Sequence, residues 1–183
     1  MDRAPRDRRP LVRAAALLLL VALLPGLAGC GDDDDSSSEA PPTTTSPDSE
    51  SEVESAYLAY WEMADRLAEE PDSEDPDLEK RASGAALADL RDGLAALQAE
   101  DRHLDVGPKA AHEVSEISIT DSERASLKDC DVDDSRLIGP NGEVLDEGLT
   151  TTLWDVRLVD RGDGWLVDQF ERVDAWEGEG DCQ

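Results

Sequence analysis

The hydrophobic periodicity of the chain changes at Gly107-Pro108, and this change constrains the fold more than any other feature. Before it, apolar residues recur every three or four positions, as in amphipathic helices. After it, they alternate with polar residues, as in half-buried strands. Helices first and strands afterwards predict an α+β fold, in which N-terminal helices pack on one face of a curved antiparallel sheet of about four or more strands.

The first helix is expected to begin near Ser51, which forms a capping box with Glu54, and to end before Pro71. Its apolar stripe is Val53, Ala56, Tyr57, Tyr60, Trp61, Ala64 and Leu67. This spacing places aromatic side chains on the helix face that would meet the sheet.

Two shorter helices are expected before the change of period. Asp75 as N-cap and Pro76 at the first helical position predict a short second helix. A third helix is expected from about Ala85 to Glu100, where Gly93 costs about 1 kcal/mol relative to alanine.

The strand pattern occurs in four segments: His112–Ile119, Arg124–Val132, Thr150–Asp160 and Trp165–Asp174. The last two are separated by "DRGDG", whose glycines favour a tight hairpin. Between the second and third lies "SRLIGPNGEVLDEG", which is interpreted as a long polar loop with a turn at Pro140-Asn141-Gly142.

Residues 1–29 have the pattern of a signal peptide: five arginines in the first thirteen residues, then the apolar stretch Ala14–Leu24. As a helix this stretch would reach only about 16 Å, which is short of the roughly 30 Å hydrocarbon core of a bilayer. The following Leu27-Ala28-Gly29-Cys30 resembles a bacterial lipobox. The resemblance implies cleavage before Cys30, a diacylglyceryl group on its thiol, and anchoring at the extracytoplasmic face of the cell membrane. The general secretory route is favoured, and Arg8-Arg9 leaves twin-arginine export open.

Residues 30–52 are interpreted as a disordered linker, because after the cysteine they are almost entirely acidic residues, serine, threonine and proline. Residues 53–183 are interpreted as one domain. After cleavage the chain would hold 12 Lys and Arg against 43 Asp and Glu, a net charge of −31. Such a charge repels nucleic acid and anionic lipid headgroups, so neither nucleic-acid binding nor a polybasic membrane anchor is expected.

The mature region also resembles a known superfamily. An N-terminal helix with "YLAYW", two further helices, "DCDVDDS" on a strand and the closing hairpin "LVDRGDGWLVDQFE" are similar to nuclear transport factor 2-like domains. More narrowly, they resemble secreted lipoproteins of high-GC Gram-positive bacteria that carry such a domain. The resemblance implies a cone-shaped, cystatin-like fold, in which a bent sheet wraps the first helix and leaves a pocket. Its members include isomerases, cyclases, dehydratases and non-catalytic proteins, so the fold does not select a function.

With Cys30 acylated, Cys130 and Cys182 remain as an even number in an oxidising compartment. An intramolecular disulfide is favoured, while two free thiols or an intermolecular pair stay open.

No metal or cofactor is expected. Three aspartates stand at positions 1, 3 and 5 of a calcium-loop pattern: Asp129, Asp131 and Asp133. However, Asp134 replaces the glycine at position 6 and Pro140 the glutamate at position 12. The segment is therefore interpreted as a solvated acidic strand end. His103 and His112 lack partners at zinc-ligand spacing.

No catalytic residue is assigned. In an acid–base enzyme, Tyr57 or Tyr60 could donate a proton, and His112, Asp155 or Asp168 could serve as base. None of these matches a family motif, and strand alternation directs Asp155 outward.

The aromatic residues form two groups, and the resemblance to the cone-shaped fold implies that they meet where the first helix packs on the last two strands. Six of them are candidates for core or for a pocket: Tyr57, Tyr60, Trp61, Trp154, Trp165 and Phe170. The leading hypothesis is a non-catalytic, lipid-anchored protein that binds a small apolar ligand or an envelope protein. The alternatives are an acid–base enzyme using the same pocket and a structural or assembly protein. The sequence leaves open whether the chain forms a homodimer.

Overall fold

The structure is a computed structural model that describes residues 47–180 and residue 182. The predicted signal peptide, Cys30 and most of the predicted linker lie outside these residues. The described elements, in chain order, are α1 (Pro47–Glu69), α2 (Leu78–Arg81), α3 (Gly84–Ala99), β1 (His103–Asp105), β2 (Ala111–Asp121), β3 (Arg124–Asp133), β4 (Arg136–Ile138), β5 (Val144–Glu147), β6 (Thr150–Asp160) and β7 (Trp165–Glu177). Helices precede antiparallel sheets, so the predicted α+β class is confirmed. No helix in the described part of the chain is both long and apolar enough to cross a membrane.

The strands form two antiparallel sheets. The larger has the order β2-β3-β6-β7, and it corresponds to the four predicted strands. The smaller has the order β1-β4-β5 and was not predicted. Its β4 and β5 lie within the segment interpreted as a loop, so that interpretation is wrong except at the turn, where Gly142 has a φ of +80°. All of β5 is exposed, and it therefore carries no alternation of apolar and polar residues.

Helix α1 begins at Pro47, so residues 47–52 belong to the helix rather than to the linker, and the predicted start near Ser51 is wrong. Proline suits a first helical turn because no intrahelical acceptor faces its nitrogen. Asp48 and Glu50 in this turn also interact favourably with the positive end of the helix dipole.

Helix α2 also begins later than predicted, with Asp77 rather than Asp75 at the N-cap position. Asp75 instead forms the preceding turn, where its side chain accepts a hydrogen bond from the backbone nitrogen of Asp77 at 2.7 Å.

The core lies between one face of α1 and the inner face of the larger sheet. From α1 it takes Val53, Tyr57, Tyr60, Met63, Ala64 and Leu67, all at most 5% exposed. From the sheet it takes Ala125, Leu127, Val156, Leu158 and Val167, all at most 4% exposed. The helical stripe and the strand alternation read from the sequence therefore meet in one apolar layer.

A β-bulge in β2 keeps the inner face of that strand continuous. The register with β3 shifts between Ser115 and Ser118, and Glu116 has a φ of +49°. Val114 and Ile117 are three positions apart, so in a regular strand their side chains would face opposite sides of the sheet; the extra residue of the bulge puts them on the same side. The bulge thus places His112 and Val114 on the same side as the residues that follow it.

The C-terminal tail is fixed to the sheet by two devices. Cys130 of β3 and Cys182 form a disulfide, with their Cα atoms 5.8 Å apart. Thr151 of β6 is fully buried, donates a hydrogen bond to the carbonyl of Gly178 at 2.8 Å, and accepts one from the nitrogen of Gly180 at 2.9 Å. The favoured intramolecular pairing is therefore the one observed.

Two glycines of α3 should respond oppositely to alanine. Gly84 has a φ of +51°, and a Cβ there would lie 2.8 Å from Cγ of Asp168. We expect Gly84→Ala to lower the free energy of unfolding by about 1–3 kcal/mol, through backbone strain and this close contact. Gly93 has open space around it. Gly93→Ala should raise the free energy of unfolding by about 0.5–1 kcal/mol. Urea denaturation of both variants measures the two effects, and a Gly84→Ala variant as stable as the wild type contradicts this account.

Candidate functional site

A buried carboxylate connects α1 to the larger sheet. Asp129 of β3 is 0% exposed, and its Oδ2 accepts a hydrogen bond from the hydroxyl of Tyr57 at 2.5 Å. The same oxygen lies 2.9 Å from Nδ1 of His112 on β2. The other oxygen, Oδ1, has no hydrogen-bond partner among the described residues. One carboxylate thus holds together a helix and two strands.

Strand alternation explains why an aspartate lies inside. Ala125, Leu127 and Asp129 occupy alternate positions of β3 and are all buried, and Asp131 follows on the same face. The interpretation of this segment as a solvated strand end is therefore wrong for Asp129. The signal was present in the sequence as the period-2 continuation of an apolar face.

The protonation states of this cluster follow from burial and charge. Burial, followed by the charge and hydrogen bond of Asp129, raises the pKa of Tyr57 far above its ordinary value, so the hydroxyl stays a donor. Burial by itself lowers the pKa of His112. The hydrogen bond and charge of Asp129, together with Asp131 and Asp65, outweigh burial and hold that pKa above its ordinary value. Asp129 thus stabilises the protonated form of His112 relative to a histidine in water.

Two further aspartates lie near this cluster. Asp131 accepts a hydrogen bond from the indole of Trp154 at 3.2 Å, and burial raises its pKa to about 6. Asp65 of α1 also has a raised pKa, mainly because it is partly buried and partly because Glu69 and Asp133 are negative. Carboxylates with raised pKa values in a concave site are candidates for binding or proton transfer.

Trp61 covers the histidine. Its indole stacks on the imidazole of His112, with ring centroids 4.3 Å apart and planes inclined by 20°. A flat aromatic face is a favourable neighbour for an imidazolium. Trp61 also contacts Tyr57, Tyr60 and Phe170 through edge-on ring pairs.

Beside this cluster lies a cavity of about 270 Å³ between α1, α3, the start of β2 and the end of β3. Its apolar wall includes Trp61, Ala64, Ala68, Leu90, Leu104 and Val106. Its polar wall includes Asp65, His112, Asp131, Asp133 and Ser135. The positions that α1 contributes are spaced as one helical face, which continues the buried stripe into the cavity.

The structure distributes the predicted pocket residues as follows. Trp61 lines the cavity, whereas Tyr57 and Tyr60 are buried in the core. Phe170 contacts both tyrosines and Trp154, so the two aromatic groups meet as expected. Trp165 packs against the core as a partly buried residue but does not line this cavity.

The predicted bases are separated. His112 lines the cavity. Asp155 is exposed on the outer face of the sheet, as strand alternation predicted. Asp168 of β7 accepts a hydrogen bond at 2.7 Å from the hydroxyl of Ser83, which lies in the connection between α2 and α3. Sequence reasoning did not identify Asp65, and it placed Asp129 and Asp131 on a solvated strand end, because carboxylates were expected to face water.

No group of three or more ligating side chains with the geometry of a metal site occurs within residues 47–180 and 182. The clustered carboxylates are held by Tyr57, Trp154 and His112 instead.

Comparisons with known proteins identify the fold only. No protein-family model matches the chain, and no curated protein matches it by sequence. The crystal structure of the intermembrane-space region of the chloroplast protein ARC6 is similar, with a TM-score of 0.56 and 14% identity, over 65% of this chain and 92% of that one. A second crystal structure, of the Kfla4162 protein from Kribbella flavida, matches with a TM-score of 0.41 and 16% identity, over 68% of this chain and 93% of that one. At 14% identity, the likeness to the ARC6 region concerns the fold alone.

The raised pKa of Asp131 predicts a pH-dependent stability. Because its pKa rises from 3.8 to about 6 on folding, the folded state binds this proton more tightly, and stability is lost as pH rises from about 4 to about 6. The raised pKa of His112 acts in the same direction. Its contribution to folding stability is present below pH 6.5, the ordinary pKa of histidine, and is lost as the pH rises through the higher pKa of the folded state.

We expect Asp131→Asn to raise the free energy of unfolding at pH 7 by about 1–3 kcal/mol and to have little effect near pH 4, where the carboxyl is largely protonated. Urea denaturation at both pH values measures this difference. Asp155→Asn on the outer face is the matched control and should shift stability by less than about 0.5 kcal/mol. If Asp131→Asn instead lowered the free energy of unfolding at pH 7, the negative charge of Asp131 would be compensated in the folded state, which contradicts this prediction.

Proposed function

We propose that the protein is a lipid-anchored extracytoplasmic lipoprotein whose nuclear transport factor 2-like domain binds a compact ligand without transforming it. The observation that carries the binding proposal is the cavity of about 270 Å³, which combines an apolar wall with converging polar side chains. Small-molecule sites have this composition, and the volume lies just below their usual range of about 300–1,000 Å³. The ligand is therefore small.

The ligand cannot be purely apolar if it fills this cavity. His112 and three aspartates line it, and contact with an apolar group would remove water from them without replacing its hydrogen bonds. This modifies the expectation from sequence of a small apolar ligand: part of the ligand must be polar.

The proposed location at the membrane rests on the sequence. An N-terminal arginine-rich segment, an apolar stretch too short to span a bilayer and a lipobox at Cys30 support lipidation. A diacylated cysteine suffices for stable anchoring, and the acidic residues after it would keep the domain away from anionic headgroups.

An acid–base enzyme is the second candidate, favoured by one specific observation. Asp129 holds Nδ1 of His112 at 2.9 Å, and the imidazole borders the cavity, as in oriented carboxylate–histidine pairs. Binding without catalysis is preferred because the hydroxyl of Tyr57 is already donated to Asp129.

We expect Cys30→Ala to move the protein from the membrane fraction to the soluble fraction of the cells that produce it, because the proposed anchoring depends on the acyl chains at this cysteine. Incorporation of labelled palmitate should be lost in parallel. Ser51→Ala, a small change in the described domain, serves as control and should keep both properties. A Cys30→Ala variant that stays membrane-bound contradicts the proposed address.

The cavity can be closed by one substitution. We expect Ala68→Phe to abolish binding of small ring compounds, because the ring would occupy the space that Ala68 borders. Saturation-transfer NMR with the full chain and a ketone, an alcohol, an amine and a carboxylate of cyclohexane measures binding. Ala95→Phe on the exposed side of α3 is the matched control and should retain it.

The same experiment in D2O distinguishes the two candidates. A bound ketone whose α-protons stay in place supports the binding protein. Loss of these proton signals that depends on His112 supports the acid–base enzyme. If no compound shows saturation that Ala68→Phe removes, the cavity is not a binding site.

A further inference from the structure

We propose that the ligand of this cavity carries a positively charged amino group attached to a compact apolar body. This inference rests on the proposed binding function and specifies the chemical class of the ligand. Three features support a cationic ligand: the positions of the carboxylates in the cavity, the single histidine near them among the described residues, and the apolar wall opposite them.

The carboxylates converge on the cavity from two separate elements. Asp65 comes from α1, and Asp131 and Asp133 come from the same face of β3. The charge of Asp133 raises the pKa of both Asp65 and Asp131, which indicates that the three groups share one field. An ammonium placed among them would reverse this repulsion.

Positive charge is scarce at this place. His112 is the one basic side chain within 4 Å of these carboxylates in the described part of the chain, with Nδ1 3.7 Å from Asp131. Its charge is already opposed at shorter range by Asp129, at 2.9 Å. Asp65, Asp131 and Asp133 therefore share one histidine with Asp129, whereas lysines and arginines compensate other aspartates, such as Asp77 and Asp121.

The cavity differs from a merely acidic surface because its other wall is apolar. Trp61, Leu90 and Leu104 line that wall. The side chain of Asp131 is only 14% exposed, so water screens its charge less than at the surface. An inorganic cation would leave the apolar wall unused, while an alkyl or aryl amine contacts both walls.

Anionic and neutral ligands fit less well. An anion would meet three carboxylates in the cavity and the negative charge of the whole chain. A neutral alcohol could hydrogen-bond one aspartate but would leave the charge of the others uncompensated.

Three compounds with one ring skeleton test the charge preference: cyclohexylmethylamine, cyclohexylmethanol and cyclohexanecarboxylate. Dissociation constants are measured at pH 7 with the full chain by following the tryptophan indole signals in NMR titrations. We expect the amine to bind at least about tenfold more tightly than the alcohol, and the carboxylate to bind more weakly than the alcohol. Added NaCl should weaken amine binding and leave alcohol binding nearly unchanged.

Variants identify the groups responsible. Asp65→Asn combined with Asp131→Asn should reduce the preference for amine over alcohol to about threefold or less. It should leave the affinity for the alcohol similar, since asparagine keeps the shape of the wall. Asp155→Asn removes a carboxylate from the opposite face of the sheet and should leave the tenfold preference intact.

Two kinds of failure are distinguishable. If the alcohol or the carboxylate binds as tightly as the amine or more tightly, the inference about charge is overturned but the proposed binding function is not. The same holds if the double variant keeps the full preference for the amine. Absence of binding by all three compounds contradicts the proposed binding function itself.

Discussion

A carboxylate removed from water must be compensated by hydrogen bonds or by positive charge, and Asp129 is such a carboxylate. Its Oδ2 receives both Tyr57 from the long first helix and His112 from the edge strand of the larger sheet. These contacts fix the distance between helix and sheet at one point of the core. Removing either partner would leave the buried carboxylate with only one of these two contacts, so the three side chains form one unit.

The cavity depends on this unit. Because His112 is held by Asp129 on one side and covered by Trp61 on the other, its ring is oriented at the boundary between core and cavity. Asp131 and Asp65 then line a space that is apolar on its opposite wall. The burial and like charges that raise the pKa values of both carboxylates also disfavour their ionised forms in the folded protein at neutral pH. The proposed cationic ligand would offset this unfavourable contribution.

Much of the architecture was predictable from local pattern. The long first helix, the third helix and all four strands of the larger sheet follow from apolar spacing, because each buries one face. The smaller sheet was missed because β5 is exposed throughout and its strands are short. The start of α1 was misplaced because Ser51 and Glu54 fit a capping box that the helix, beginning at Pro47, does not use.

The sequence by itself determined the class of fold. It also favoured a meeting of the two aromatic groups and a disulfide between Cys130 and Cys182. The fold class follows from periodicity, the meeting of the aromatic groups from the resemblance to the cone-shaped fold, and the cysteine pairing from the number of cysteines. Only the tertiary structure decided that Asp129 is buried and that Asp65, His112 and Asp131 border one cavity. The helix that carries Asp65 and Tyr57 ends at Glu69, far along the chain from the β2–β3 hairpin that carries His112, Asp129 and Asp131. A carboxylate changes from a solvated surface group to a compensated core group only when its hydrogen-bond partners are brought to it in space.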